Sequence, residues 1–131
     1  EWLNINSNQS KQYSGTVALQ GLNVNSNATL DFCGSLSVTQ GINVNSNGTF
    51  NMKGSLAQGQ ANNPWLSLVV NSNATLRIEG NVVIYGNLNL NSKATLEFVG
   101  PNSSITIHGN VYKGNNVTIT GNYTDTMNKL N

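Results

Sequence analysis

Apolar and polar residues alternate along nearly the whole chain, in short runs broken at regular places. Leu22 and Val24, Leu30 and Phe32, and Leu36 and Val38 are each separated by one residue, and the spacing recurs downstream. Period two belongs to a β-strand with one buried face, and no stretch has the i, i+3, i+4 spacing of a helix. The runs are too short to make an independent hairpin sheet. Asn-Ser-Asn or Gly interrupts them, and these residues tolerate the left-handed backbone of a tight corner.

The interruptions recur because the chain repeats. Leu3-Asn4-Ile5-Asn6-Ser7-Asn8 returns as Leu22-Asn23-Val24-Asn25-Ser26-Asn27, as Ile42 to Asn47, as Leu68 to Asn73 and as Leu88 to Lys93. The long step from Ile42 to Leu68 holds an insertion around Gln58 to Pro64, whose Gly, Asn and Pro read as a loop on one edge. Each copy continues as Ala28-Thr29-Leu30-Asp31-Phe32-Cys33-Gly34 does, with equivalents ending at Gly54, Gly80 and Gly100, and a third segment follows the glycine. Beyond Gly100 the pattern loosens, and Ser104 to Gly109 and Val117 to Gly121 read as partial coils.

A single such unit cannot bury its apolar face, whereas stacked units share one core. The prediction is an all-β parallel β-solenoid of about five to six coils with a roughly 20-residue repeat. It forms one domain over 1–131, with regular coils at 3–100, degenerate coils at 101–123 and a short tail at 124–131. Leu22, Ile42, Leu68 and Leu88 make one internal stack, and Phe32, Met52, Ile78 and Phe98 another.

With coils about 4.8 Å apart, the outward columns pair Arg77 with Glu97 and Lys53 with Glu79. Asn23, Asn43 and Asn89 share one column, and Asn25, Asn45, Asn71 and Asn91 another, so both are placed to hydrogen-bond along the stack. Thr29, Thr49, Thr75 and Thr95 form a third column. A flat array for ordering water would need a second threonine column two residues on, where Asp31, Asn51, Arg77 and Glu97 stand instead. Strand propensity accounts for the threonines.

Composition narrows the function classes. Charged residues are 8% and the formal net charge is +1, so no charge field marks a nucleic-acid or membrane-surface binder. Hydrophobic residues are only 37%, but the scarcity of Lys, Glu and Pro and the regular apolar spacing argue for order. No apolar run approaches the length of a membrane-spanning helix. The chain opens inside a repeat without a charged or apolar leader, so a secreted form implies a signal peptide already removed.

The run G-x-L-x-V-N-S-x-A-T-L-x-F-x-G resembles the β-solenoid passages of prokaryotic surface proteins, both adhesin passenger domains and self-assembling archaeal sheath or filament subunits. The resemblance covers about residues 3 to 123 and implies a non-enzymatic, extracellular structural protein. Such a protein assembles with copies of itself, end to end or laterally, into a sheath, filament or surface layer. The alternative it implies is a segment of an adhesin or stalk that binds surface carbohydrate. Neither reading calls for a cofactor, nucleic acid or membrane insertion. The repeat begins at residue 3, and Tyr123 to Asn131 is too short for a cap. Both ends are therefore expected to be open to strand addition.

Few residues qualify as sites. Cys33, the one cysteine, should point outward between Ser14 and Lys53, which makes it a candidate for an intermolecular disulfide. Sequons begin at Asn8, Asn27, Asn47, Asn73, Asn102, Asn116 and Asn122, and in so Asn-rich a chain several arise by chance. Catalytic and metal sites are not expected. The acids Glu1, Asp31, Glu79, Glu97 and Asp125 are read as falling on different columns, and His108 has no second histidine. Trp2, Trp65, Tyr85, Tyr112 and Tyr123 offer sugar-stacking surfaces but share no column, and Trp65 is expected to pack into the inserted loop.

Overall fold

Every alternating run becomes a strand. A computed structural model describes residues 1–131, with strands β1 (Trp2–Ile5), β2 (Ser10–Leu19), β3 (Gly21–Val24), β4 (Thr29–Val38), β5 (Ile42–Val44), β6 (Thr49–Gln58) and β7 (Ser67–Val70). They continue as β8 (Thr75–Ile84), β9 (Asn87–Leu90), β10 (Thr95–Phe98), β11 (Ser103–Ile107), β12 (Val111–Lys113), β13 (Thr118–Thr120) and β14 (Tyr123–Asp125). There is no helix. One sheet has the order β1-β3-β5-β7-β9-β12, and the other runs β13-β10-β8-β6-β4-β2, with β11 between β8 and β14. Every pair is parallel, so the chain is a parallel β-solenoid of six coils.

Two corners shape each coil. The first is a single left-handed residue at Asn8, Asn27, Asn47, Asn73, Lys93 and Asn116, with φ from 61° to 68°. Asparagine suits that conformation better than other non-glycine residues, because its short amide bonds locally. A small residue follows and turns inward at Ala28, Gly48, Ala74 and Ala94, and then a β-branched threonine opens the strand.

The second corner lies within the long strands, at Gly15, Gly34, Gly54 and Gly80, with φ between 101° and 139°. A Cβ at Gly54 would stand 2.0 Å from the carbonyl oxygen of Gly34, and one at Gly80 would stand 2.0 Å from that of Gly54. Both the backbone angle and the close approach of the next coil therefore require glycine. In the later coils this corner opens up, dividing the path into β10 and β11 around Gly100 to Asn102, and into β13 and β14 around Gly121.

The registers match the repeat. Leu22, Ile42, Leu68 and Leu88 stack in one sheet, and Phe32, Met52, Ile78 and Phe98 in the other. All eight are buried in one continuous core. The six-residue insertion is taken up between β6 and β7, but its boundary differs from the expected one. Gln58 ends β6 and lies fully buried in an apolar column between Val38 and Ile84. Its Nε2 donates to the carbonyl of Gln40 at 2.8 Å, while Oε1 has no partner. The loop itself starts at Gly59. Trp65 does not pack into it and is 71% exposed.

The C-terminal end corrects the expectation of an open edge. Past β14 the chain turns and lies across the top of the core, burying Leu130 to 1% exposure. Asp125 anchors this turn by accepting the backbone N–H of Lys129 at 3.1 Å and of Leu130 at 2.8 Å. Lys113 of β12 donates to the Leu130 carbonyl at 2.7 Å, and Lys129 to the Gly109 carbonyl at 2.8 Å. The tail is thus tied to both sheets and works as a plug.

Candidate functional site

The outer face of the long strands carries Asp31, Lys53, Arg77 and Glu79. A groove of about 520 Å³ runs along the solenoid axis between two outward columns of β2, β4, β6 and β8. Successive outward residues on one strand are two positions apart, so stacking coils in register turns each pair of positions into two parallel rows.

The first row holds Asp31, Asn51, Arg77 and Glu97 on consecutive coils. These side chains are bonded to one another. Asn51 Nδ2 donates to Asp31 Oδ1 at 2.6 Å, Arg77 Nη1 to Asn51 Oδ1 at 2.6 Å, and Arg77 Nε to Glu97 Oε1 at 2.9 Å. Asp31 and Glu97 therefore share the column that the repeat register gives them two residues past the threonines, so the acids are not all scattered. An amide and a guanidinium stand between them, about 14 Å of coil rise apart. Both carboxylates already have partners in the row.

The second row is Ser14, Cys33, Lys53 and Glu79. Cys33 is exposed and lies between Ser14 and Lys53, as the alternation predicts. Lys53 Nζ stands 4.0 Å from Glu79, beyond hydrogen-bonding length, so the ammonium is held loosely. Both signs of charge are present and balanced in the groove.

Two asparagine ladders occupy the other sheet. Asn43 donates to Asn23 and Asn23 to Asn4, each at 2.9 Å. Asn91 donates to Asn71, Asn71 to Asn45 and Asn45 to Asn25, at 2.8 to 3.0 Å. The first ladder stops at Val69, which separates Asn43 from Asn89, and Asn89 Oδ1 is left buried without a partner.

All seven sequon asparagines are exposed. Asn8, Asn27, Asn47, Asn73 and Asn116 are also the left-handed corner residues. At Asn27, Asn47 and Asn73 the corner itself writes the motif: asparagine for the angle, a small inward residue, then a threonine that starts the strand. Asn102 and Asn122 lie in the glycine corners of the later coils.

The aromatic residues have separate surroundings. His108 stacks on Tyr85 with ring centroids 5.0 Å apart, and Tyr123 on Phe98 at 4.5 Å. Trp2 lies flat over Gly21, where a Cβ would meet its ring at 2.2 Å. Trp65 and Tyr112 have large exposed faces, Tyr112 at 56%. The His108 stack was missed in sequence because Tyr85 and His108 stand 23 residues apart, off the 20-residue step. No protein-family model matches the chain, and neither a curated protein nor a solved structure does.

Proposed function

We propose that the chain is a non-enzymatic structural protein, a rigid β-solenoid unit that assembles with copies of itself into an extracellular sheath, filament or surface layer. The observation that carries this reading is how the outward polar groups are used. The asparagine ladders and the Asp31-to-Glu97 row commit side chains of several coils to the coil above or below. Such rows stiffen a stack and are the device that stabilises cross-β assemblies. Few charges, many Asn, Ser and Thr, and exposed sequons favour an extracellular setting. The buried C-terminal tail favours lateral contacts as the route of assembly.

Negative-stain electron microscopy of the purified chain, with and without reductant, tests the proposal. Regular fibres, tubes or sheets are the expected result, and their loss on reduction assigns Cys33 to the contacts. Dispersed monomers under both conditions refute it.

A second reading, a stalk or adhesin segment that binds carbohydrate, is favoured by the free faces of Trp65 and Tyr112, since exposed aromatic rings stack on sugars. Glycan-array binding that Trp65→Ala and Tyr112→Ala abolish would support it; an array without signal would reject it.

A further inference from the structure

We infer that Trp65 is a docking knob for a second copy of this chain, whose groove beside Lys53 and Arg77 receives the ring. The contact joins unlike surfaces, so each copy offers one knob and one socket and association runs on past a pair. The inference rests on the structural reading above and names the lateral contact that reading calls for.

The insertion presents this ring on a built support. The Asn63 N–H donates to the Gln60 carbonyl at 3.0 Å and the Leu66 N–H to the Asn63 carbonyl at 3.2 Å, so two consecutive turns carry the segment. Pro64 fixes the backbone angle just before the ring. The far end is tied to the next coil, where the Asn87 N–H donates to the Leu66 carbonyl at 3.0 Å. Trp65 nevertheless stays 71% exposed, more than any other large hydrophobic residue. An indole left in water offers a large apolar area for a partner to cover. Residues 59–66 carry no charge, so docking them takes no ion of the insertion out of water.

The groove supplies what such a ring takes. Its volume of about 520 Å³ lies within the usual range of ligand pockets, about 300–1,000 Å³. Cys33, Val99 and the aliphatic stems of Lys53 and Arg77 give it apolar surface. Arg77 is its central element. The guanidinium spends Nη1 on Asn51 and Nε on Glu97, and both bonds leave in its plane. No aromatic ring of its own chain covers its faces. A guanidinium fixed at its edges and bare on its faces is set to stack on an indole. Lys53, 4.0 Å from Glu79, is held loosely enough to cover the ring from the other side.

Knob and socket do not meet within one molecule. Lys53 lies in β6 and the insertion follows that strand, so both belong to the same coil. Between them run Gly54 to Gln58, about 17 Å of strand at 3.3 Å per residue, and Trp65 is not among the residues that line the groove. A copy placed beside the first brings its insertion to the groove at the same height. Repeating the contact therefore sets solenoids side by side. The middle of the groove is built by β4, β6 and β8, so the socket does not depend on what lies at either end of the stack. A formal net charge of +1 opposes such association little.

Sedimentation velocity in a phosphine reductant tests the inference on the intact chain and on Trp65→Ala. Species larger than two 14.0 kDa chains are expected of the intact protein. Trp65→Ala should weaken association roughly thirtyfold or more, the effect of losing a buried tryptophan anchor. The residue is exposed, so its replacement leaves the fold in place. Cys33 lines the groove and reports on its occupancy. Its alkylation by a maleimide should slow in assembled protein, and Trp65→Ala should restore the rate of the monomer. Oligomers that persist unweakened in Trp65→Ala, or in which Cys33 reacts as fast as in the monomer, overturn the inference while sparing the structural reading. Monomers throughout overturn both.

Discussion

The glycine corner can be tested at a magnitude set by the geometry. Gly54 and Gly100 both have positive φ, 122° and 80°. They differ in what surrounds them. A Cβ at Gly54 would lie 2.0 Å from the carbonyl oxygen of Gly34, a rigid backbone atom in a paired strand. A Cβ at Gly100 meets nothing closer than Glu79 Cγ at 3.7 Å, an ordinary contact. Gly100→Ala therefore incurs only the left-handed penalty, about 1–2 kcal/mol, partly offset by about 0.4–1 kcal/mol from the stiffer unfolded chain. Gly54→Ala meets about 1–3 kcal/mol of backbone strain and a further 1–3 kcal/mol or so to move a neighbouring strand.

The net costs are about 1 kcal/mol at Gly100 and about 2–5 kcal/mol at Gly54. Unfolding entropy for a chain of this length is roughly 0.28 kcal/mol per kelvin. Gly100→Ala should thus lower Tm by roughly 3–4 °C and Gly54→Ala by roughly 7–18 °C. Thermal melts followed by far-ultraviolet circular dichroism, supported by urea midpoints, measure both. Equal losses at the two positions would refute the argument, because they would mean that the approach of the next coil contributes nothing and φ alone decides.

Three further substitutions probe the polar rows and the plug. Asn45→Ala removes a donor to Asn25 and an acceptor for Asn71, and should lower the urea-derived stability by about 1–2 kcal/mol; no change would show the ladder to be inert. Tyr112→Asn puts an amide in register beside Asn89, whose buried Oδ1 lacks a donor, and should raise stability by about 1 kcal/mol on the same scale. Asp125→Ala leaves the Lys129 and Leu130 N–H groups without their acceptor, at a cost of about 1.5–3 kcal/mol. Hydrogen exchange at residues 126–131 should rise with it, and unchanged protection there would show that the plug holds without Asp125.

The interior was legible because two periods act together. Alternation assigns each residue a face, and the 20-residue step assigns it a neighbour, so the columns through Leu22 and Phe32 and the ion pair of Arg77 with Glu97 could be read directly. Where the step changes, that reading fails. Val111 pairs with Leu88, 23 residues back, because Gly100 to Asn102 widen the fifth coil. The last coil therefore looks degenerate in sequence, although its strands stay in register. Trp65 lies in the insertion, where no period applies, and only the three-dimensional placement shows that its ring is free.

The C-terminal end was misread for a different reason. Tyr123 to Asn131 is too short for a cap of its own, but the last coil builds one from its own columns. One column runs Ile5, Val24, Val44, Val70, Leu90 and then Lys113, and another runs Val17, Leu36, Leu56, Val82, Ile105 and then Asp125. Within the stack a charge at either place would be buried without compensation. On the last coil each charge instead holds the backbone of the plug, Lys113 the Leu130 carbonyl and Asp125 two amides. Charge in an apolar column, met by backbone groups of the tail, thus identifies the closing coil from sequence.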